Sequence, residues 1–462
     1  MVARFLLASL AIEAVLQDVT IHQRRQTLLE RTKGSGLDDA YSATLDRIRG
    51  QGGSKSKLGM AVLMWLSHSE SPLNAEDLCY AMGIEVGTTD MNLRNVPSKG
   101  ALMSCTLGLV TIDKHASTVR LVHFTLQEYL VNHPNLFTTP HSMIAEVCLT
   151  YLNFQSVCEP STSLGTIPLT MPLLRYASLY WGSHARKEGT ESVKHLALRL
   201  LDIYDHHISA KLLLNEESIG LLPWWDRYRG IQPDLRGFTG LHCAAYFGIA
   251  EIAVELLNME GWDLNGRDCY GATPLIWAAK YGNCAFTEML LEQGDVDPTL
   301  SDKRGQAALT HAARAGHQGV VKLLLERGDV NPDWPDEHGR TPLSHAADSG
   351  SESVVRILLK RVDVSPDSSD ADGRTSLSYA AESAKEDVVK LLLERGDVGP
   401  DFSDRHGRTP LSYAAGSGNE GVVKILMQRT DVNPDSADED GRTPLSYATG
   451  SGHGGVVKLL IQ

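Results

Sequence analysis

The stretch Asp336-Glu337-His338-Gly339-Arg340-Thr341-Pro342-Leu343-Ser344-His345-Ala346-Ala347-Asp348-Ser349-Gly350 decides the fold, because the chain keeps returning to it. The Leu that closes its Thr-Pro-Leu recurs at Leu241, Leu275, Leu309, Leu343, Leu377, Leu411 and Leu445, in steps of 34 residues. A fixed period of that size marks a solenoid of stacked units. Gly339 suits a turn with positive φ, Thr341 is a helix N-cap, and Pro342 at the first helical position gives up no useful N–H. Ala346 and Ala347 let a second helix approach, and Gly350 suits a left-handed helix stop. Val354-Val355-Arg356-Ile357-Leu358-Leu359 then reads as a second helix with an apolar face. One such unit cannot bury its apolar face alone, whereas stacked units share a core.

Working outward, two units break the pattern. Ala307-Ala308-Leu309 lacks both Thr and Pro, and a lost cap costs about 1 kcal/mol. Ala384 stands where the other units carry Gly, a strained choice for a left-handed residue. The chain's last helix, Val456 to Gln462, carries no polar cap, so self-association near Leu459 and Ile461 is expected.

Ahead of the repeats, the reading is mostly helical. Residues 58–135 give three helices (Leu58 to Leu66, Asn74 to Met82, Pro97 to Leu107), two short strands around a polar turn at His115-Ala116-Ser117, and a closing helix from Phe124. That order is a winged helix. Residues 141–230 read as a helical connector, with helices Met143 to Phe154, Pro172 to Arg186 and Ser192 to Leu214. Residues 1–50 are helical, and Arg49 to Lys57 reads as a Gly/Ser/Lys-rich break. The start, Val2 to Leu16, has the charge and apolar length of a signal peptide. Glu13 interrupts the run and no small-residue cleavage site follows, so it reads as a buried helix.

Composition excludes several functions. The chain has 462 residues and a net charge of −14. Residues 234–462 carry 35 acids against 22 bases, a net of −13, so the repeats hold nearly all of it. Such a surface repels nucleic-acid phosphate and anionic lipid and favours basic or mixed protein partners. The winged-helix segment 58–135 holds seven acids and four bases, too few cations for phosphate contacts. Seven scattered Cys residues without a Cys-x-x-Cys read as reduced, buried thiols. No nucleophile elbow, no zinc-type spacing and no P-loop is present. Gly52-Gly53-Ser54-Lys55-Ser56 has the wrong spacing for a phosphate cradle, and Asp205-His206-His207, read within one helix, would point its side chains apart. Neither catalytic residues, nor metal, nor cofactor is expected.

The repeat resembles the ankyrin repeat, whose Gly-x-Thr-Pro-Leu-His-x-Ala-Ala is matched by Gly237-Phe238-Thr239-Gly240-Leu241-His242-Cys243-Ala244-Ala245. Later units put Ser344, Ser378, Ser412 and Ser446 in place of the His. The period is one residue longer than usual, and the extra residue is assigned to the return loop Gly328 to Asp333. The order of the parts is similar to fungal NACHT–ankyrin proteins, related to NOD-like receptors. That resemblance rests on Val62-Leu63-Met64-Trp65-Leu66-Ser67-His68, on Leu121 to Leu130, and on Tyr180-Trp181-Gly182-Ser183-His184-Ala185-Arg186. It implies a winged helix of the GPI inositol-deacylase type, a 1–50 remnant of an ATPase module whose P-loop is missing here, and an intracellular, cytoplasmic signalling role. On this reading the chain is a C-terminal piece of such a protein.

In that family the ankyrin arm meets protein partners through the turn tips and the ends of the first helices. The matching candidates are Arg236, Phe238, Tyr246 and Phe247 in the first unit, Tyr270 and Tyr281 in the second, and Arg304 and Arg314 in the third. Arg340, Arg374, Arg408 and Arg442 follow, one per turn tip. Charge reversal at Arg340, Arg374 and Arg408 is expected to weaken partner binding while the stack stays folded. Trp277, His311, His345, Tyr379, Tyr413 and Tyr447 recur at the same period and read as core packing. The expected fold is therefore mostly α, a winged helix and helical connector followed by an ankyrin-type solenoid over 234–462. The expected function is non-catalytic protein binding, as the sensing arm of a NOD-like-receptor-type signalling protein, with a standalone ankyrin adapter or decoy, or a winged-helix DNA-binding regulator, as the alternatives.

Overall fold

The computed structural model describes residues 37–113, 117–158, 171–221, 235–259 and 261–462. The signal-like start, most of the 1–50 segment, and His115 and Ala116 of the polar turn lie outside them. The described chain divides into two compact units, one ending at Leu235 and the other running from Arg236 to Gln462.

In the first unit, helices span Leu37–Gly50, Gly53–His68, Ala75–Gly83 and Lys99–Cys105. Strands β1 (Val110–Ile112) and β2 (Val119–Leu121) pair antiparallel with Thr111 opposite Arg120, and the helix Phe124–Asn132 follows. Asn74 caps its helix by accepting from the N–H groups of Glu76 and Asp77, as its residue type predicts. Tyr41 ties the first helix to Phe124–Asn132 through Thr125, hydroxyl to hydroxyl at 2.8 Å. Trp65 and Trp181, members of the stretches that carry the family resemblance, are fully buried.

Two segments differ from the sequence reading. The Gly/Ser/Lys-rich break at 49–57 is almost all helix. Only Gln51 and Gly52 interrupt, Gly52 having φ +72°, and Gly53–His68 begins at once. Burial of Val62, Leu63 and Trp65 drives that helix, so weak local propensity at its start is overridden. Likewise 192–214 is not one helix. Glu191–Asp202 and Ile208–Leu221 flank a 3-10 turn at Tyr204–His206. Asp205-His206-His207 thus sits at a break, and His207 is buried, its ring nitrogens bonded to Ser209 Oγ and the Leu152 carbonyl.

The second unit is the solenoid. Each repeat is a tip, a first helix, a left-handed stop and a second helix, from Gly240–Phe247 with Ala250–Leu257 to Pro444–Gly450 with Gly454–Ile461. Thr273, Thr341, Thr375, Thr409 and Thr443 each accept from the backbone N–H three residues on. Ala307 offers no such bond. The cysteines of the described residues form no disulfide, and Cys284 is exposed on a second helix rather than buried. No described helix is long and apolar enough to cross a membrane.

Ala384 takes φ +55°, the left-handed conformation that Gly350 and Gly418 hold one repeat to either side. Ala384→Gly should therefore stabilise the chain by about 1 kcal/mol, since the relief of Cβ strain exceeds the added chain entropy. A rise in the urea midpoint checks this; an unchanged or lower midpoint contradicts it.

Candidate functional site

The surface that a solenoid offers is built from its tips, and one acid builds each tip. Asp268, Asp302, Asp336, Asp370, Asp404 and Asp438 are held to 10 % exposure or less on the residue or its carboxylate. In each, Oδ1 accepts the backbone N–H groups two and four residues on, for Asp336 those of His338 and Arg340 at 3.0 and 2.9 Å. This closes the turn that Gly339 bends at φ +82°. The second oxygen, Oδ2, accepts from an aromatic donor nine residues on, in the first helix: Trp277 Nε1 (2.9 Å), His311 Nε2 (2.9 Å), His345 Nε2 (2.9 Å), Tyr379 OH (2.5 Å), Tyr413 OH (2.6 Å) and Tyr447 OH. The aromatic row is therefore core from Trp277 to Tyr413, as expected, with Tyr447 half-buried, but its polar ends have a task that packing alone did not suggest. They lock each tip to its helix.

The ladder arginines stand on this row. The Arg340 guanidinium lies 3.9 Å from the Tyr379 ring centre, and Arg374 lies 4.1 Å from Tyr379 and 4.3 Å from Tyr413. Arg408 lies 4.9 Å from Tyr413, and Arg442 5.2 Å from Tyr447. Each also meets an acid: Arg340 with Asp348, Arg374 with Glu382, Arg408 with Asp404, and Arg442 with Asp438 and Asp440. Arg340 and Arg374 keep only 18 % and 17 % of their side-chain surface exposed. Arg340, Tyr379, Arg374, Tyr413 and Arg408 thus alternate in a stack that binds repeat to repeat, while Arg442 meets only the Tyr447 of its own repeat, so reversing the stacked charges is expected to cost stability as well as any partner contact. Guanidinium planes between phenol rings contribute stability.

Two more candidates leave the surface. Phe238 is fully buried against His242 and Trp277, and Phe247 is 3 % exposed. Phe238 follows the tip Gly237 but faces the core, because the turn that Gly237 makes at φ +79° carries the chain inward into the first helix. The rest gather at one end of the solenoid. Tyr246 packs against Tyr281 (4.5 Å) and Trp277 (6.1 Å), and Lys280 Nζ sits 5.0 Å from the Trp277 ring. Tyr270 is 43 % exposed, and Lys303 and Arg304 are exposed on the next tip. Burial lowers the pKa of Arg314, with the neighbouring Arg304 adding to this and Asp302 opposing it.

In the four later repeats, sequence reasoning missed the tip residues that do face outward. Glu337 and His338, Ala371 and Asp372, Arg405 and His406, and Glu439 and Asp440 are all exposed. Their backbones join tip to tip, Lys303 N–H to the Tyr270 carbonyl (2.9 Å) and Arg405 N–H to that of Asp372 (2.8 Å). The signal was variation. Across these four repeats the two positions change while the Asp before them and the Gly-Arg after them persist. It also missed Arg327, Arg361, Arg395 and Arg429. Their guanidiniums donate to carbonyls of the preceding repeat's second helix, Leu291, Leu325, Leu359 and Leu393, at 2.9 to 3.4 Å.

Buried imidazole makes this core pH-sensitive. Burial, then the nearby Arg340, lowers the pKa of His345 to about 4, with Asp336 opposing. Arg314 also faces it. An unfolded His titrates near 6.5, so between about pH 6.5 and 4 the unfolded chain holds the extra proton and stability falls as pH falls. At pH 5 the loss is about 2 kcal/mol. His345→Tyr, which copies the neighbouring repeats, should flatten that dependence. Identical urea midpoints against pH for both chains would refute it.

A tip, two antiparallel helices and a return loop, repeated and bonded through the tips, define a helical-repeat binding protein. The ankyrin-repeats family model matches three stretches, residues 194–302, 294–370 and 377–462. The chain belongs to the ankyrin-repeat family. A second family, the winged-helix domain of GPI inositol-deacylase, matches residues 46–139. No curated protein matches the chain. The ankyrin repeats support a role in protein–protein interaction, and this architecture typically acts without catalysis.

Proposed function

We propose that the chain is a non-catalytic partner-binding protein that captures its partner on the face around Tyr246, Tyr270, Lys280, Tyr281, Arg304 and Arg314. The observation that carries this is the coincidence of half-buried aromatic rings, with Lys280 against one of them, and neighbouring tips that expose Tyr270, Lys303 and Arg304. Aromatic and Arg side chains dominate interface energetics, and they are most effective where neighbours exclude water. The local positive charge favours an acidic or mixed segment of the partner, although the unit as a whole is acidic. Arg236 lies beside this face in sequence and is exposed.

The wider reading is the sensing arm of a NOD-like-receptor-type signalling protein. The winged-helix type supports it, together with the order winged helix then ankyrin repeats.

The test compares variants of the full chain against a partner co-purified with it. Tyr270→Ser with Lys303→Glu and Arg304→Glu should weaken binding at least about tenfold, the scale of one or two hot spots. Lys322→Glu, on an exposed second-helix position, should not. Equal effects of both sets would overturn the assignment.

A further inference from the structure

Three side chains from three distant segments of the first unit converge outside the repeat surface. They are Glu70 after the helix Gly53–His68, His141 at the start of Pro140–Leu152, and His184 in the last turn of Leu174–Lys187. One ligand atom from each lies within 4.8 Å of the other two. The imidazoles face each other Nδ1 to Nδ1 at 2.8 Å. Without a metal only one of the two can carry the proton between them.

The surroundings orient both rings. His184 is fully buried, and its Nε2 meets the Tyr176 hydroxyl at 2.9 Å. That hydroxyl also accepts the backbone N–H of Glu70 at 3.2 Å, so one phenol joins two of the three residues. With Nε2–H donated to Tyr176, the lone pair of His184 sits on Nδ1 and points at His141. The backbone N–H of His141 is held by Glu188 at 2.8 Å, and the His68 ring stands edge-on 5.4 Å away.

We propose that Glu70, His141 and His184 form a binding site for a divalent transition metal of the zinc class. Two imidazoles and a carboxylate suit such an ion and not Mg²⁺ or Ca²⁺, which take oxygen ligands. Tetrahedral bonds of about 2.0–2.2 Å place ligand atoms roughly 3.3–3.6 Å apart. The two rings must therefore separate by about half an ångström, and Glu70 must turn inward. Tyr176 is a positioning residue, fixing the His184 ring through the nitrogen that the metal does not use. Lys187 opposes the ion. Its Nζ lies 2.6 Å from Glu70 Oε1, and at 47 % side-chain exposure it can swing into solvent. The site does not depend on the partner-binding reading of the repeats.

The full chain, stripped with a chelator, is titrated with Co²⁺ and then Zn²⁺. The expected result is one equivalent bound, with weak visible Co²⁺ bands and none of the sulfur-to-metal absorption that the cysteines would add. Glu70→Gln and His141→Ala should each lower affinity at least about tenfold, and Tyr176→Phe about tenfold. Lys187→Ala should raise it several-fold, an effect that a purely structural role for this cluster does not produce. Because His184 is buried, the variants at the rim carry the test. No saturable binding, a thiolate spectrum, or affinity indifferent to Glu70→Gln and His141→Ala would each overturn the proposal and leave the pair as a hydrogen-bonded strut.

Discussion

Asp404→Ala is expected to unlatch the sixth repeat. The Asp404 carboxylate accepts the N–H groups of His406 (2.9 Å) and Arg408 (2.8 Å), the Tyr413 hydroxyl (2.6 Å) and the Arg408 Nε (2.9 Å). Its side chain has no exposed surface, so water cannot replace those bonds. Burial pushes its pKa up, yet the donors hold it below the usual carboxylate value, so the charge is present and satisfied. A buried donor left without a partner costs about 1–3 kcal/mol, and breaking a buried ion pair about 3–5 kcal/mol. The expected loss is on the order of 4 kcal/mol. Solenoid repeats unfold partly on their own, so hydrogen exchange is the right measurement. Amides of 404–416 should lose protection well before those of the second and third repeats. Asp404→Asn, which keeps an acceptor for the turn, should cost less. A loss below about 1 kcal/mol would show that the carboxylate is not what closes the tip.

Arg340→Glu, Arg374→Glu and Arg408→Glu together should destabilise the middle of the solenoid by about 5 kcal/mol or more. Four guanidinium–ring contacts are lost, at about 1 kcal/mol each in half-buried settings. Three new carboxylates then face Asp348, Glu382 and Asp404, which now neutralise the arginines. Lysines at the same positions keep the charge but not the plane, and should cost roughly half as much. By contrast Arg405→Glu changes an exposed tip and should leave the urea midpoint within about 0.5 kcal/mol of the parent. If the triple variant unfolds like the parent, the stack is ornamental and the arginines return to the list of partner contacts.

The legible part of this protein was its local chemistry. The 34-residue period, the Thr-Pro helix start, the glycine stops and the apolar second helix each act within a few residues, and the solenoid follows from them. Ala384 and Ala307 could be singled out for the same reason, since strain and a missing cap are local properties. The winged helix was readable because three amphipathic segments precede two short strands.

What the tertiary structure decided lies between segments. Arg340 meets Tyr379 thirty-nine positions on, in the next repeat, and no local rule says whether its charge points to solvent or into a stack. The sequence placed Arg340 and Glu337 on the same turn tip. Only the turn closed by Asp336 sends the first back along the helix, to Asp348, and leaves the second exposed. Glu70, His141 and His184 are the limiting case. No spacing in the chain links them, and they converge where Trp65 packs on Tyr176 at 5.8 Å and the helix Pro140–Leu152 lies against Leu174–Lys187. Periodicity thus specified which elements form, whereas burial, acting across distant segments, selected which side chains those elements bring together.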